Sequence, residues 1–351
     1  MSLALNAGGE DKAAKVPINT GRQRLAMIVW FRAFAIFLIV AGHSYDLAGI
    51  RLGSVLDDTI SDLIRGATAL FVFISGFIFD YIFSVRYNYG NFILNRVTKL
   101  LAPYCVLTVL AGFMFSGWAY GAVSLDQLFR FFVFGDAFQA YWYIPFILLM
   151  FTFAPLHRFF MNLRAFHQAV IIVVTLILSG LIQRPVGNDN AFQSVAFYTP
   201  VYLSGICLSL HREALLPILK KNFALLLVAV VLLAVVQSIS GQSGNMHKPF
   251  FVVQGFELMI FQKLALCFAL AGLFSRFSSR PASIVQITAD TSFAIFFLHP
   301  FVLRLVEHVT FFRLTNLPWI DLFIATTAIV TLCSLCALAV KHLSGTRSHF
   351  D

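Results

Sequence analysis

Ten stretches of 17 to 24 residues, each close to uniformly apolar, leave this chain few ways to fold. A backbone in hydrocarbon has no water to bond, so it must satisfy its own N–H and C=O groups as a helix or a closed barrel. A helix needs about 20 residues to cross a core of about 30 Å. The stretches run over roughly 25–45, 66–84, 99–118, 141–160, 168–184, 194–211, 222–240, 255–275, 290–311 and 318–341. Their apolar residues come in runs and do not alternate with period two, which excludes an outer-membrane barrel. Charged residues make up 12% of the chain, against about 25% in soluble domains. The expected fold is all-α, a polytopic membrane protein of about ten transmembrane helices.

Residues 1–24 form a polar tail without the apolar core or cleavage pattern of a signal peptide. Residues 25–341 read as a single transmembrane domain and 342–351 as a second tail. The segment "LDQLFRFFVFGDAF", 125–138, is apolar but short and interrupted by Arg130 and Asp136, and reads as interfacial or re-entrant. With the N-terminus inside, sixteen Lys and Arg fall in inner segments and six in outer loops. The other three of the 25, Arg32, Lys263 and Arg304, fall within spans. Both termini are therefore expected in the cytoplasm. The net charge of +9 is a topology signal and implies no nucleic-acid partner. Cys105, Cys207, Cys267, Cys333 and Cys336 all lie in apolar stretches without metal-ligand spacing, so no metal is expected.

The first span contains "WFRAFAIFLIVAGHSYD", 30–46, with a guanidinium near its start and an imidazole near its end. Arg32 and His43 are eleven residues apart. Eleven steps of about 100° end about 20° past three full turns, so both side chains share one face, about 16 Å apart along the axis. An Arg at membrane depth costs about 2.5 to 3.5 kcal/mol and needs a cavity or a partner. The alternative is a snorkelling Arg with an interfacial His. Glu257, Gln262 and Lys263 are polar groups in the eighth span, and His299, Arg304, Glu307 and His308 lie in the ninth. Glu307 and His308 are placed to pair locally with Arg304. His299 precedes Pro300, which frees a backbone carbonyl, so a structural hydrogen bond and a chemical role both stay open. Asp80 reads as a substrate-site carboxylate or an interface cap.

Arg-x10-His followed by Ser44 resembles the first helix of the acyltransferase-3 family of membrane acyltransferases. "FVFISGF" (71–77) is similar to that family's Ser-Gly-Phe element, and "NRVTKLLAPY" (95–104) to its Arg-x-x-Arg motif, with Lys99 in place of the second Arg. "YWYIPFILLMF" (141–151) and "AIFFLHPFV" (294–302) resemble further family segments, and the likeness covers roughly 22–340. It implies transfer of an acyl group, acetyl or succinyl, from acetyl-CoA or another acyl-CoA to a hydroxyl of a cell-surface or exported carbohydrate. It also implies the bacterial inner membrane, and this chain as the membrane module without the hydrolase-like domain of some members. The expected catalytic residues are His43 as base, whose ordinary pKa lies near neutrality, Arg32 as charge stabiliser, and Asp46, at i+3, to orient the imidazole. Arg96 and Lys99 are the expected coenzyme-binding cations. Ser75, Trp142, His299 and Arg304 are candidate substrate contacts. Expected partners are the bilayer, acyl-CoA, a carbohydrate acceptor, and polysaccharide-biosynthesis proteins or a second copy of the chain. A transporter or flippase for a glycan or small solute is the rival class. Against it, no paired halves with matched Gly/Pro-broken helices are visible.

Overall fold

The computed structural model describes residues 19–83, 87–115, 123–188, 190–242, 244–252, 254–277, 281–306, 314–315 and 317–343. In chain order the helices are α1 (Asn19–His43), α2 (Tyr45–Ala48), α3 (Val55–Ile64), α4 (Thr68–Ile78), a π-helical turn (Phe79–Phe83), α5 (Tyr89–Phe115), α6 (Leu125–Val133) and α7 (Tyr143–Thr152). They continue with α8 (Ala154–Met161), α9 (Ala165–Ile182), α10 (Ala191–Leu210), α11 (Arg212–Ile239), α12 (Met259–Phe274), α13 (Ser283–Val306) and α14 (Pro318–Leu343). Among the described residues there is no strand, only an isolated backbone bridge between Arg184 and His247.

Among the described residues, eight helical segments are long and apolar enough to cross a membrane. The pair α7–α8, bent by 56°, makes a ninth, and the 16-residue α12 is a shorter apolar helix. With α12 counted as a tenth segment, the alternating sense puts the start of α1 and the end of α14 at one end of the bundle. His43 and the irregular stretches 244–252 and 254–258 lie at the other.

Several boundaries differ from the expected ones, for local reasons. The second span starts eleven residues earlier, because Ser54 caps α3 by accepting the Asp57 N–H. The span then breaks at Arg65 and Gly66, where Gly66 takes φ +73°. That break leaves the last carbonyls of α3 without helical donors. Lys263, 1% exposed, reaches from α12 and donates to the carbonyls of Asp62 (2.6 Å) and Leu63 (3.1 Å). The buried charge thus works as a helix cap. The third span, α5, begins ten residues before the expected 99 and carries Pro103 inside it. The eighth begins at Met259, which leaves Glu257 outside it. The first nine residues of segment 125–138 form the short α6, opened by a Ser124–Gln127 capping box and with no buried residue.

Lipid exposure decides which helices are most apolar. The α11 span has mean hydropathy 2.5 and is 22% buried, whereas α10 has 1.2 and is 72% buried. The centre of the protein is thus more polar than its rim, as expected where lipid tails, not water, surround the bundle. Central α10 lies tight against α4. A Cβ on Gly76 would stand 2.0 Å from the Tyr202 carbonyl oxygen, and one on Gly205 would stand 2.0 Å from that of Phe73. The glycine of the Ser-Gly-Phe element is therefore required by a close helix crossing.

Candidate active site

His43 is the last residue of α1, and the chain turns there into α2 because Ser44 Oγ donates back to the Val40 carbonyl (2.7 Å). The imidazole Nδ1 lies 3.3 Å from Gln139 Oε1. With an amide oxygen as its partner, Nδ1 carries the proton and Nε2 keeps its lone pair. Gln139 belongs to a fold-back between α6 and α7 that needs Gly135 at φ +75°, since a Cβ there would meet the Trp142 backbone nitrogen at 2.5 Å. Arg130 and Asp136, the two charges that interrupt this apolar segment, close the same turn through a 2.7 Å ion pair.

His43 lines a small cavity together with Ile39, Thr68, Trp142, Tyr143 and Phe296. Thr68 opens α4, and the Lys263 cap described above fixes that start. Trp142 is buried, stacked on Tyr198 (6.1 Å, 22°) and covered by Arg184, whose guanidinium carbon is 4.1 Å from the indole centroid. Arg184 is itself held. Its backbone bonds Met246 and Lys248 in the irregular stretch. With its amide turned to satisfy both neighbours, Asn245 accepts from Arg184 Nη1 (3.2 Å) and donates to Glu257 Oε1 (3.3 Å). Burial pushes the Glu257 carboxyl up to about 8, against the pull of Arg184.

Arg32 and His43 both face α13, as their spacing predicts. Arg32 donates to Ser292 Oγ (2.9 Å), and the His43 ring lies 5.4 Å from that of His299. His299 is fully buried, and its Nδ1 donates to the Ile295 carbonyl (3.0 Å) while Nε2 has no hydrogen-bond partner. The structural hydrogen bond that the sequence left open is thus made, by Nδ1. Arg32 is not among the residues lining the His43 cavity.

The other expected site residues are spread out. Asp46 is exposed on α2, and Gln139 holds the place beside Nδ1 that had been assigned to it. Ser75 is half-buried and neighbours Tyr143 of α7, which lines the cavity. Trp142 lines the cavity directly. Arg96 lies over the rings of Phe92 (5.6 Å) and Phe151 (5.7 Å) at the opposite end of the bundle, one turn from the exposed Lys99. Arg304 is exposed on α13, and its expected partners Glu307 and His308 lie outside the described residues. Asp80 is buried on the π-helical turn. Gln139 and Arg184 were missed. Gln139 has no periodic signal, and Arg184 counts in the sequence only as an outer-loop charge. Among the described residues, no group of three or more His, Cys, Asp or Glu is placed to hold a metal.

A family model described as an acyltransferase domain matches residues 26–338, which is nearly the whole chain. No curated protein and no solved structure matches it.

Proposed function

Because the chain belongs to the acyltransferase-3 family of membrane acyltransferases, we propose that it moves an acetyl or succinyl group from acyl-CoA to a hydroxyl of a cell-surface or exported carbohydrate. The observation that carries this is His43, set in a cavity with Nδ1 engaged by Gln139. In the proposed reaction, Nε2 takes the proton of the acceptor hydroxyl as its oxygen attacks the thioester carbonyl. The C–O bond forms, the C–S bond breaks, and the departing thiolate receives the proton back. A fixed tautomer favours this role, since the nitrogen facing the acceptor then already has its lone pair.

The setting is the inner membrane of a bacterium, with the Arg96 end in the cytoplasm and the His43 end outside, as the charge asymmetry favours. Donor would then enter from the Arg96 end and acceptor from the His43 end. Arg32 is about 16 Å from His43 along α1, so its role is to hold negative charge on the donor side of the reacting carbonyl, with Ser292 as its anchor. Incubating the purified protein with radiolabelled acetyl-CoA or succinyl-CoA and candidate glycans tests this. Label should pass to the glycan. Glycan movement across proteoliposomes with no label transfer would favour the transporter class instead.

A further inference from the structure

The end of the bundle opposite His43 carries a second cluster of buried polar groups. It centres on the Phe79 ring, at the start of the π-helical turn. Around it lie Tyr87 (6.1 Å), His157 (5.8 Å) and Tyr202 (6.3 Å), with the His157 and Tyr202 rings 4.5 Å apart. Three polar atoms there are buried without a hydrogen-bond partner: the hydroxyls of Tyr87 and Tyr202 and Nδ1 of His157. Tyr202 and His157 are 0% and 5% exposed. A buried polar atom without a partner is costly, so two hydroxyls and a ring nitrogen together suit a bound polar ligand.

Two guanidiniums sit at the rim. Arg158 lies over the Tyr87 ring at 4.9 Å, and Arg96 is close enough for its charge to bear on Tyr202. Asp80 lies on the same turn. Hydroxyls, an imidazole nitrogen and guanidiniums can all donate to anionic oxygen. The cluster also connects to the cavity. Tyr202 neighbours Tyr143, which lines the His43 cavity. From Phe79 to Thr68 is eleven residues of α4 and its turn, about 16 Å at helical rise. That span suits the extended arm between the phosphates of an acyl-carrying coenzyme and its thioester.

The geometry points to a phosphate-binding site formed by Arg158, His157, Tyr87 and Tyr202 beside Arg96, which receives the phosphorylated end of the acyl donor. This assignment rests on the donor being a coenzyme-A thioester, as proposed above. A phospholipid headgroup offers the same chemistry. The burial of Tyr202 and His157 inside the bundle, and their link to the cavity through Tyr143, favour the coenzyme.

The test is titration calorimetry of the full-length protein in nanodiscs of neutral lipid, with three probes: coenzyme A, its form lacking the 3′-phosphate, and pantetheine. Arg158→Gln should weaken coenzyme A binding by about 10- to 100-fold, the range of a charge-assisted hydrogen bond. Arg158→Lys should recover part of the loss. Tyr202→Phe, which keeps the packing, should weaken coenzyme A several-fold, and all three variants should leave pantetheine binding unchanged. Equal weakening of pantetheine would mean a structural role and overturn the site, as would unchanged coenzyme A binding in both Arg158→Gln and Tyr202→Phe. In a second set of nanodiscs that contain anionic phospholipid, displacement of coenzyme A by that lipid, abolished in Arg158→Gln, would overturn the coenzyme assignment in favour of a headgroup. If the wild-type protein bound none of the three probes, the donor itself would be wrong, a failure distinct from these.

Discussion

Replacing Gly76 by Ala should destabilise this protein far more than a methyl group ordinarily does. The new Cβ would lie 2.0 Å from the Tyr202 carbonyl oxygen and 2.9 Å from its carbonyl carbon. Both are backbone atoms of a helix, so no side chain can swing aside. Restoring an ordinary contact of about 3.4 Å requires α4 and α10 to part by roughly 1.4 Å, and overpacking of this kind costs about 1 to 3 kcal/mol or more. Gly205→Ala should behave alike, since its Cβ meets the Phe73 carbonyl oxygen at 2.0 Å across the same crossing. Once one alanine has separated the helices, the second has less to displace. The double variant should therefore lose clearly less than the two single losses combined. Gly42→Ala is the control, because nothing lies within 4 Å of its Cβ, and a helical Gly-to-Ala change there should stabilise by up to about 1 kcal/mol. Thermal unfolding of purified protein in detergent, followed by intrinsic fluorescence, reads all four. A melting temperature for Gly76→Ala equal to that of Gly42→Ala would refute the close crossing.

His43→Ala should lower acyl transfer by about 10²- to 10⁴-fold while the protein still inserts and purifies; near-normal turnover would remove it as the base. Arg32→Lys keeps the charge without the planar fork and should retain partial activity, whereas full activity in Arg32→Leu would mean that the arginine only snorkels. Glu257, with its folded-state carboxyl raised from the ordinary 4.5 to about 8, should cost stability as pH rises from the lower value to the higher, because the unfolded chain ionises first. Melting temperature should fall across that window in the wild type and stay flatter in Glu257→Gln; parallel curves would count against it. Reporter fusions after Arg164 and Lys221 should read cytoplasmic and a fusion near Gln242 external, and the inverted pattern would put His43 on the cytoplasmic side.

Helices, their number and the shared face of Arg32 and His43 were legible because lipid imposes length and apolarity on every span. The breaks were not. Nothing periodic marks the α3–α4 junction, which depends on Gly66 and on a lysine about two hundred residues away in sequence. The fold-back at Gly135 likewise brings Gln139 to His43 across 96 residues. Contacts of this kind are made by turns and long-range pairing, and a span-by-span pattern does not carry them. The Ser-Gly-Phe element was read for its Ser75, whereas its glycine sets the position of α4 against α10. Asp46 looked suited to His43 by helical spacing, but the helix ends at His43 and the register does not continue.

The polarity of α10 also bears on how the chain is made. With mean hydropathy 1.2, it is the least apolar of the eight long spans and so among the hardest to hand over to lipid alone. Yet α4, α7 and α9, against which it packs, all precede it in the chain. When α10 leaves the ribosome, its neighbours have already been synthesised, so its serines and glutamine have a protein wall to meet instead of acyl chains. The order of the helices along the gene thus doubles as an assembly schedule, in which the helix least able to stand alone in the bilayer arrives after its hosts.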